Sequence, residues 1–182
     1  MLLAGVDESG RGPLAGPVVA AAVILPSQFN HQLDDSKKIP EDKRIILCEH
    51  IISQALAVGI SFVSPQIIDQ LNIRRATLIA MRNAIEMLEV EPEYIMVDGV
   101  DTIPGVQIPQ EAVIRGDSKI LSISAASIIA KVTRDNFMKS IHPFFAQYEF
   151  SSHKGYATKH HYALLKRFGA CAFHRISFKG VA

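Results

Sequence analysis

Two apolar runs, residues 1–6 and 18–25, open the chain only a short, glycine- and proline-rich turn apart. Runs that close predict an antiparallel strand pair, and the alanines of the second leave a helix open as an alternative. Downstream, apolar runs alternate with segments of helical period. Pro40, Glu41 and Asp42 open a predicted helix to about Ser53, with proline in the first turn and acids at the positive end of the dipole. Residues 55–63 predict a third strand, and Ser64 with Pro65 a short helix reaching Leu71. Asn72 then caps a predicted helix to about Leu88, whose apolar face is Ile73, Ala76, Ala80, Ala84 and Met87 or Leu88. "YIMVDG" (94–99) and "AVIRGD" (112–117) read as short buried strands, each ending in an acid. Residues 118–141 make the longest predicted helix, ended by Pro143, and residues 159–168 a last amphipathic one. This alternation predicts an α/β layered fold with a mixed sheet, antiparallel first and parallel later.

A chain of 182 residues is expected to form one domain and is long enough to bury a core. The longest apolar stretch, residues 14–25, is too short to span a bilayer and contains Gly16 and Pro17. Acids arrive by position 7 with no basic region before them, so no signal peptide is expected, and the protein reads as cytoplasmic with no membrane partner. Two distant cysteines, Cys48 and Cys171, suit a reducing compartment and predict small buried or half-buried residues rather than a disulfide framework.

Charge is unevenly spread. Residues 1–130 hold 10 Lys/Arg and 16 Asp/Glu, a balance of −6, whereas residues 131–182 hold 9 and 2, a balance of +7. An acidic body with a basic C-terminal part predicts an anionic partner held by that part, against a chance asymmetry on a solvated surface.

The acids carry the chemistry. Asp7 and Glu8, Asp98, and Asp117 each fall just past the C-terminal end of a predicted strand, the edge of an α/β sheet where ligands bind. Carboxylates gathered there repel one another unless a cation sits between them, and an all-oxygen set suits Mg²⁺ or Mn²⁺. Each acid also has a plainer reading: Asp7 and Glu8 as a solvated loop, Asp98 with Gly99 as a turn, Asp117 as the cap of the long helix. Their joint placement favours metal. Zinc spacings are absent, and His160 and His161, adjacent on a helix, read as a solvated pair. The chain has no nucleophile elbow and no Walker loop, and Ala15 stands where a third dinucleotide-binding glycine belongs.

These blocks resemble the ribonuclease HII family, the type 2 ribonucleases H, over essentially the whole length. "GVDESGRGPLAGPVVAAAVIL" resembles its opening block; "DDSKK", "NIRRATLIAMRNAI", "YIMVDG" and "GDSKILSISAASIIAKVTRD" follow in family order, and "HKGYATKHHYALLKRFGACAFHRISF" resembles its closing block. The closing block departs at Ala157, where glycine is usual, and at "GACAFH", where a proline is common. The resemblance implies a ribonuclease H-like fold: a five-stranded mixed sheet flanked by helices, with a C-terminal helical segment. It implies a single catalytic domain over residues 1–182, with residues from about 142 forming a basic extension. It also implies metal-dependent endonucleolytic cleavage of RNA in RNA–DNA hybrids and at ribonucleotides embedded in duplex DNA, leaving 3′-hydroxyl and 5′-phosphate ends. The family's four acidic positions fall on Asp7, Glu8, Asp98 and Asp117, and for Asp117 this overrides the helix-cap reading.

Two cations about 3.5–4 Å apart would divide the work of such a reaction, one activating water and one stabilising the leaving oxygen, with Asp7 bridging both. Gly10, Arg11 and Gly12 resemble the family's ribose-reading loop, where the missing Cβ lets backbone groups approach a 2′-hydroxyl. A tight turn needing positive φ is the plainer reading, and both can hold. On the long helix Ser127, Lys131 and Arg134 share a face that could line a phosphate track, or Lys131 could pair with Asp135. Lys37, Lys38, Lys154, Lys159, Lys166 and Arg167 are further candidate backbone contacts. The resemblance sets Tyr156 against the sugar that follows the ribose, and its plainer role is a loop anchor. Two other classes compete: a different metal nuclease of the same superfold, and a nucleic-acid-binding module without catalysis. A monomer is expected.

Overall fold

The computed structural model describes residues 1–29 and 39–182. Its centre is β1 (Leu3–Ser9), flanked by β2 (Val18–Ile24) and β4 (Tyr94–Asp98), with β3 (Ala57–Val63) and β5 (Gln110–Val113) at the edges. β1, β2 and β3 run antiparallel in turn, while β4 is parallel to β1 and β5 to β4. The expected five-stranded mixed sheet is present, with three strands rather than two in its antiparallel half.

β2 is a strand and not the alternative helix. All seven of its residues are buried, because helices cover both faces of the sheet. A strand covered on both sides reads as a continuous apolar run, and its three alanines let the covering helices come close. On one face α1 (Glu41–Gln54) and α4 (Leu121–Ile141) pack Cys48, Ile51, Ala125, Ile128 and Ile129 against Ala21 and Val23. On the other, α3 (Ile73–Glu86) packs Ala76, Ala80 and Ala84 against Ala4 and Val6. Each fully buried isoleucine stabilises this arrangement by about 1.5–3 kcal/mol relative to an exposed one. Between them α2 (Pro65–Leu71) starts where expected: the Ser64 hydroxyl accepts from the Ile67 N–H, and the Asn72 side chain likewise accepts from the Arg75 N–H to open α3.

Two boundaries differ from expectation. β5 ends at Val113 because Arg115 takes a left-handed conformation, φ 55°, that turns the chain out of the sheet. α4 begins at Leu121, and residues 116–118 form a separate 3-10 turn ahead of it.

Past α4, Pro143 opens a 3-10 stretch (His142–Tyr148), followed by α5 (Phe150–His153) and α6 (Lys159–Phe168). These bury Tyr148, Phe150 and Leu164 against Met138 and Ile141 of α4 and Ala15 of the turn after β1. The basic C-terminal part thus has an apolar core of its own, and it closes over that turn. Cys48 is buried and Cys171 partly so, and both are free thiols. No helix among the described residues is long and apolar enough to cross a membrane.

Candidate active site

Side chains of successive strand residues point to opposite faces, so Asp7 and Glu8 leave β1 on different sides. Asp7 turns toward α4, where the Ser127 hydroxyl hydrogen-bonds it, while Glu8 turns toward α3. Because β4 is parallel to β1, with Val6 beside Val97, Asp98 arrives next to both. One carboxylate oxygen from each of Asp7, Glu8 and Asp98 lies within 4.8 Å of the others. Backbone donors steady the group: the Glu8 N–H donates to Asp7 Oδ1 at 2.7 Å and the Gly116 N–H to Asp98 Oδ1 at 2.7 Å.

The electrostatics of this group are unfavourable by themselves. Burial, and then the charges of Glu8 and Asp98, push the Asp7 carboxyl well above its ordinary range, against the hydrogen bonds from Ser127 and Glu8. Glu8 is also pushed up by burial, and Arg11, 3.5 Å away, pulls it back.

The expectation that every acid follows a strand end is corrected. Asp7 and Glu8 lie inside β1, Asp98 is the last residue of β4, and Asp117 sits in the 3-10 turn four residues beyond β5. Asp117 does not join the cluster of three. Nor does it cap α4, whose N-cap is Ile120 with no side-chain cap bond.

Two cavities flank the acids. One, of about 290 Å³, is lined by Glu8, Ser9, Gly10, Arg11, Gly12, Ser127, Lys131 and Tyr156. It brings together seven residues singled out from sequence for substrate contact or metal binding, drawn from β1, the turn after it, α4 and the loop before α6. Gly10 has φ +99°, and a Cβ there would stand 2.1 Å from Arg134 Nε, so only glycine fits. Gly12 has open space where a Cβ would be, and its φ is not in the left-handed region, so the fold itself does not demand glycine there. The second cavity, about 260 Å³, lies across the Glu8–Arg11 ion pair and is lined by Arg74, Thr77, Met81 and Asp98 among others. Glu8, Arg11 and Asp98 were singled out from sequence, whereas Arg74, Thr77, Leu78 and Met81 of α3, which complete its wall, were not.

The basic candidates divide. Lys131 pairs with Asp135 at 2.8 Å, as its ion-pair reading expected, and it also lines the first cavity. Arg134 is not part of a phosphate track. It is fully buried and donates to the carbonyls of Pro17, Ala15 and Lys154. The Lys154 ammonium donates to the Ser151 carbonyl, while Lys159, Lys166 and Arg167 are exposed on α6. Lys37 and Lys38 lie outside the described residues.

The histidine expectation is also corrected. His160 is exposed and 3.0 Å from Glu149, but His161 is fully buried against His174 and His153. The periodicity of α6 held the missed clue, for His161, Leu164 and Leu165 occupy one apolar face.

The family model described as Ribonuclease HII matches residues 4–181. A ribonuclease HII of Geotalea daltonii is 51% identical over 98% of this chain and 83% of its own. The crystal structure of the ribonuclease H2 of Pyrococcus horikoshii superposes with a TM-score of 0.87 at 26% identity, covering 100% of this chain and 95% of that one. The ribonuclease HII of Archaeoglobus fulgidus, solved in complex with PCNA, superposes with a TM-score of 0.80 at 25% identity, covering 98% and 96%. Sequence, sheet order and clustered acids agree: the chain belongs to the ribonuclease HII family, endonucleases of the ribonuclease H type that act on the RNA of RNA–DNA hybrids.

Proposed function

We propose that this chain hydrolyses the RNA strand of RNA–DNA hybrids and also cuts at ribonucleotides embedded in duplex DNA, leaving 3′-hydroxyl and 5′-phosphate ends. Asp7, Glu8, Asp98 and Asp117 would hold Mg²⁺ or Mn²⁺, two ions in the active complex. The observation that carries this reading is the burial of Asp7, 4% exposed, with Glu8 and Asp98 converging on it. That donor set fits hard divalent ions: it is oxygen only, and its like charges need an added positive charge to ionise together. Asp117 is included because the Gly116 N–H ties its turn directly to Asp98. When bound, the ions would supply an activated water and a stabilised leaving oxygen.

The chain's own residues do the rest. Ser127 and the Glu8 N–H favour the ionised form of Asp7, and Arg11 does the same for Glu8. The turn at Gly10, Arg11 and Gly12 brings backbone within reach of a ribose, where a 2′-hydroxyl can both donate and accept. Tyr156 forms the facing wall, against the sugar that follows. Lys131 would position a phosphate between them. The proposal takes the protein as a cytoplasmic monomer, one catalytic domain over residues 1–182 whose basic extension, from about residue 142, grips the duplex.

The test is the cleavage position, at nucleotide resolution, on a DNA duplex containing one ribonucleotide. One cut at that nucleotide, dependent on Mg²⁺ or Mn²⁺ and abolished by chelator, is expected. An intact duplex with either ion, together with an intact RNA–DNA hybrid, overturns the reading.

A further inference from the structure

Four buried side chains that the reaction does not use stand behind the first cavity: Arg134, His161, His174 and Arg175, each between 0% and 2% exposed. Their hydrogen bonds fix which nitrogen carries each histidine proton. The Cys171 N–H donates to His174 Nδ1 at 2.9 Å, so that nitrogen is bare and His174 Nε2 carries the proton. The Tyr156 carbonyl can only accept, so His161 Nδ1, 2.9 Å away, carries the other. This leaves His174 Nε2–H donating to the bare His161 Nε2 at 3.1 Å. A one-way chain therefore runs from the Cys171 amide through His174 and His161 to the Tyr156 carbonyl. Protonating either ring would set two N–H groups against each other and break it.

The next residue reaches the opposite wall of the same cavity. Arg175 donates to the carbonyls of Gly10 at 2.6 Å, Arg11 at 3.0 Å and Gly16 at 2.8 Å. Its own N–H donates to the Leu14 carbonyl, and the Leu14 N–H donates to the Gly155 carbonyl, both at 2.8 Å. At Gly155, φ +81°, a Cβ would stand 2.5 Å from the Ala15 carbonyl oxygen, so the two walls meet there with no room for a side chain.

We infer that His174 and Arg175 are positioning residues that set the gap between Tyr156 and the turn at Gly10, Arg11 and Gly12, and so set how strictly the enzyme requires a deoxyribose after the ribose. The inference rests on the reading of that cavity as the place where the sugar junction is held. One dipeptide holds both walls: Arg175 directly, through the backbone carbonyls of the turn, and His174 through His161, which holds the Tyr156 carbonyl. Neither wall can then shift without breaking buried bonds, His174 to His161 on one side and Arg175 to the Gly10 and Gly16 carbonyls on the other.

Two near-isosteric variants separate positioning from mere stability. In His174→Asn the amide oxygen can still accept from Cys171, but the donor to His161 is gone. In His174→Gln the amide nitrogen can still reach His161 as a donor, but the acceptor for Cys171 is gone. The readout is the ratio of kcat/KM on a duplex with one embedded ribonucleotide to kcat/KM on a continuous RNA–DNA hybrid. Loss of folded protein cancels in this ratio, so a purely structural role leaves it unmoved. His174→Asn should lower it about three- to tenfold, and His174→Gln should keep it within about threefold. In a Tyr156→Ala background His174→Asn should change it no further, because the residue it acts through is gone. The inference is overturned if the ratio stays at its wild-type value in His174→Asn, if both variants lower it alike, or if the effects of His174→Asn and Tyr156→Ala multiply. A wild-type protein that cuts neither substrate would instead overturn the functional reading beneath it.

Discussion

Two groups of buried charge lie on either side of the turn at Gly10, Arg11 and Gly12, and the fold treats them in opposite ways. The arginines Arg134 and Arg175 are both fully buried, yet between them they donate to six backbone carbonyls: those of Gly10, Arg11, Ala15, Gly16, Pro17 and Lys154. Burial and the neighbouring Arg134 push Arg175 down to about 9, which still leaves it a cation at neutral pH. Asp7 is nearly as buried, but what surrounds it is Glu8 and Asp98, so its charge is opposed rather than solvated. A buried charge whose hydrogen bonds are complete is a strut. One that its neighbours oppose is a place for something else to bind. This contrast, more than the count of acids, is why the proposed function is placed on the acid cluster and not on the arginine pair.

The sharpest way to break the comparison is to neutralise one member of the acid group. Asp7→Asn keeps the shape and removes the charge that would balance a cation. Activity should fall by at least about a thousandfold, the scale of the several kcal/mol that ions contribute to such a transition state. The melting temperature without added metal should hold or rise, because a repelled, desolvated charge has gone. Wild-type protein should gain melting temperature on adding Mn²⁺ and the variant should gain less. Turnover near wild type, or a variant that melts well below it, would remove the contrast.

The strut should answer in the other direction. Arg175→Lys keeps the charge but not the planar fork, so at least two of the carbonyls now paired lose their donor. The expected loss of stability is about 2–5 kcal/mol, read from denaturant unfolding, with a melting temperature below that of the wild type both with and without added Mn²⁺. An unchanged midpoint would mean that the carbonyls find water and that the strut is no strut.

A weaker effect separates the two regions by pH. Burial pushes His153 and His174 down to about 4 and lowers His161 as well. Folded pKa values below the unfolded value of about 6.5 mean that the unfolded chain takes up protons first. Stability from these rings is complete above about 6.5 and is lost as pH falls toward 4. Asp7 and Glu8 work with the opposite sign: their raised folded pKa values mean that the folded state takes up protons first as pH falls, which adds stability. The melting temperature of Asp7→Asn should therefore fall more steeply between pH 6.5 and 4 than that of the wild type. Parallel curves would show that the acids are not strained in the free protein.

The acid cluster was legible in the sequence and the strut was not, for a physical reason. Asp7, Glu8 and Asp98 follow apolar runs, and a charge at the end of a buried strand is conspicuous in one dimension. The antiparallel start was legible on the same basis, since period and spacing are local, whereas the strand order rests on non-local pairing and was not. Arg134 and Arg175 lie 41 residues apart in the numbering, and their partners are backbone carbonyls that carry no residue identity. An arginine that serves carbonyls therefore looks like any surface arginine until the chain is folded, and Arg134 read as a phosphate contact for that reason. Part of the basic balance of the C-terminal stretch is thus interior. Asp117 stayed ambiguous because its place depends on the left-handed turn at Arg115, a conformation that arginine rarely takes.

The smallest expected effect, that of Tyr156→Phe, falls where the two regions meet. Tyr156 is 38% exposed, with Lys131 Nζ 5.2 Å and Arg134 Cζ 5.5 Å from its ring centre. Its carbonyl belongs to the strut through His161, and its ring belongs to the cavity beside the acids. Tyr156→Ala removes the ring and should strongly reduce cleavage at a lone ribonucleotide, with a smaller loss of affinity for plain duplex, where phosphate contacts supply most of the binding. Tyr156→Phe is the finer cut. It keeps the ring face toward both cations and against the sugar, and deletes only the hydroxyl. If crowding and stacking do the reading, the Phe variant should lose less than about threefold in cleavage at the lone ribonucleotide. If the hydroxyl bonds the 2′-oxygen, the loss should reach about three- to tenfold. Either result leaves the backbone carbonyl and its histidine chain intact, so the melting temperature should match wild type in both cases. A Tyr156→Ala protein that cuts the lone ribonucleotide at the wild-type rate, or whose loss only follows its melting temperature, would show that the ring is a loop anchor and that the strut ends in nothing that reads the substrate.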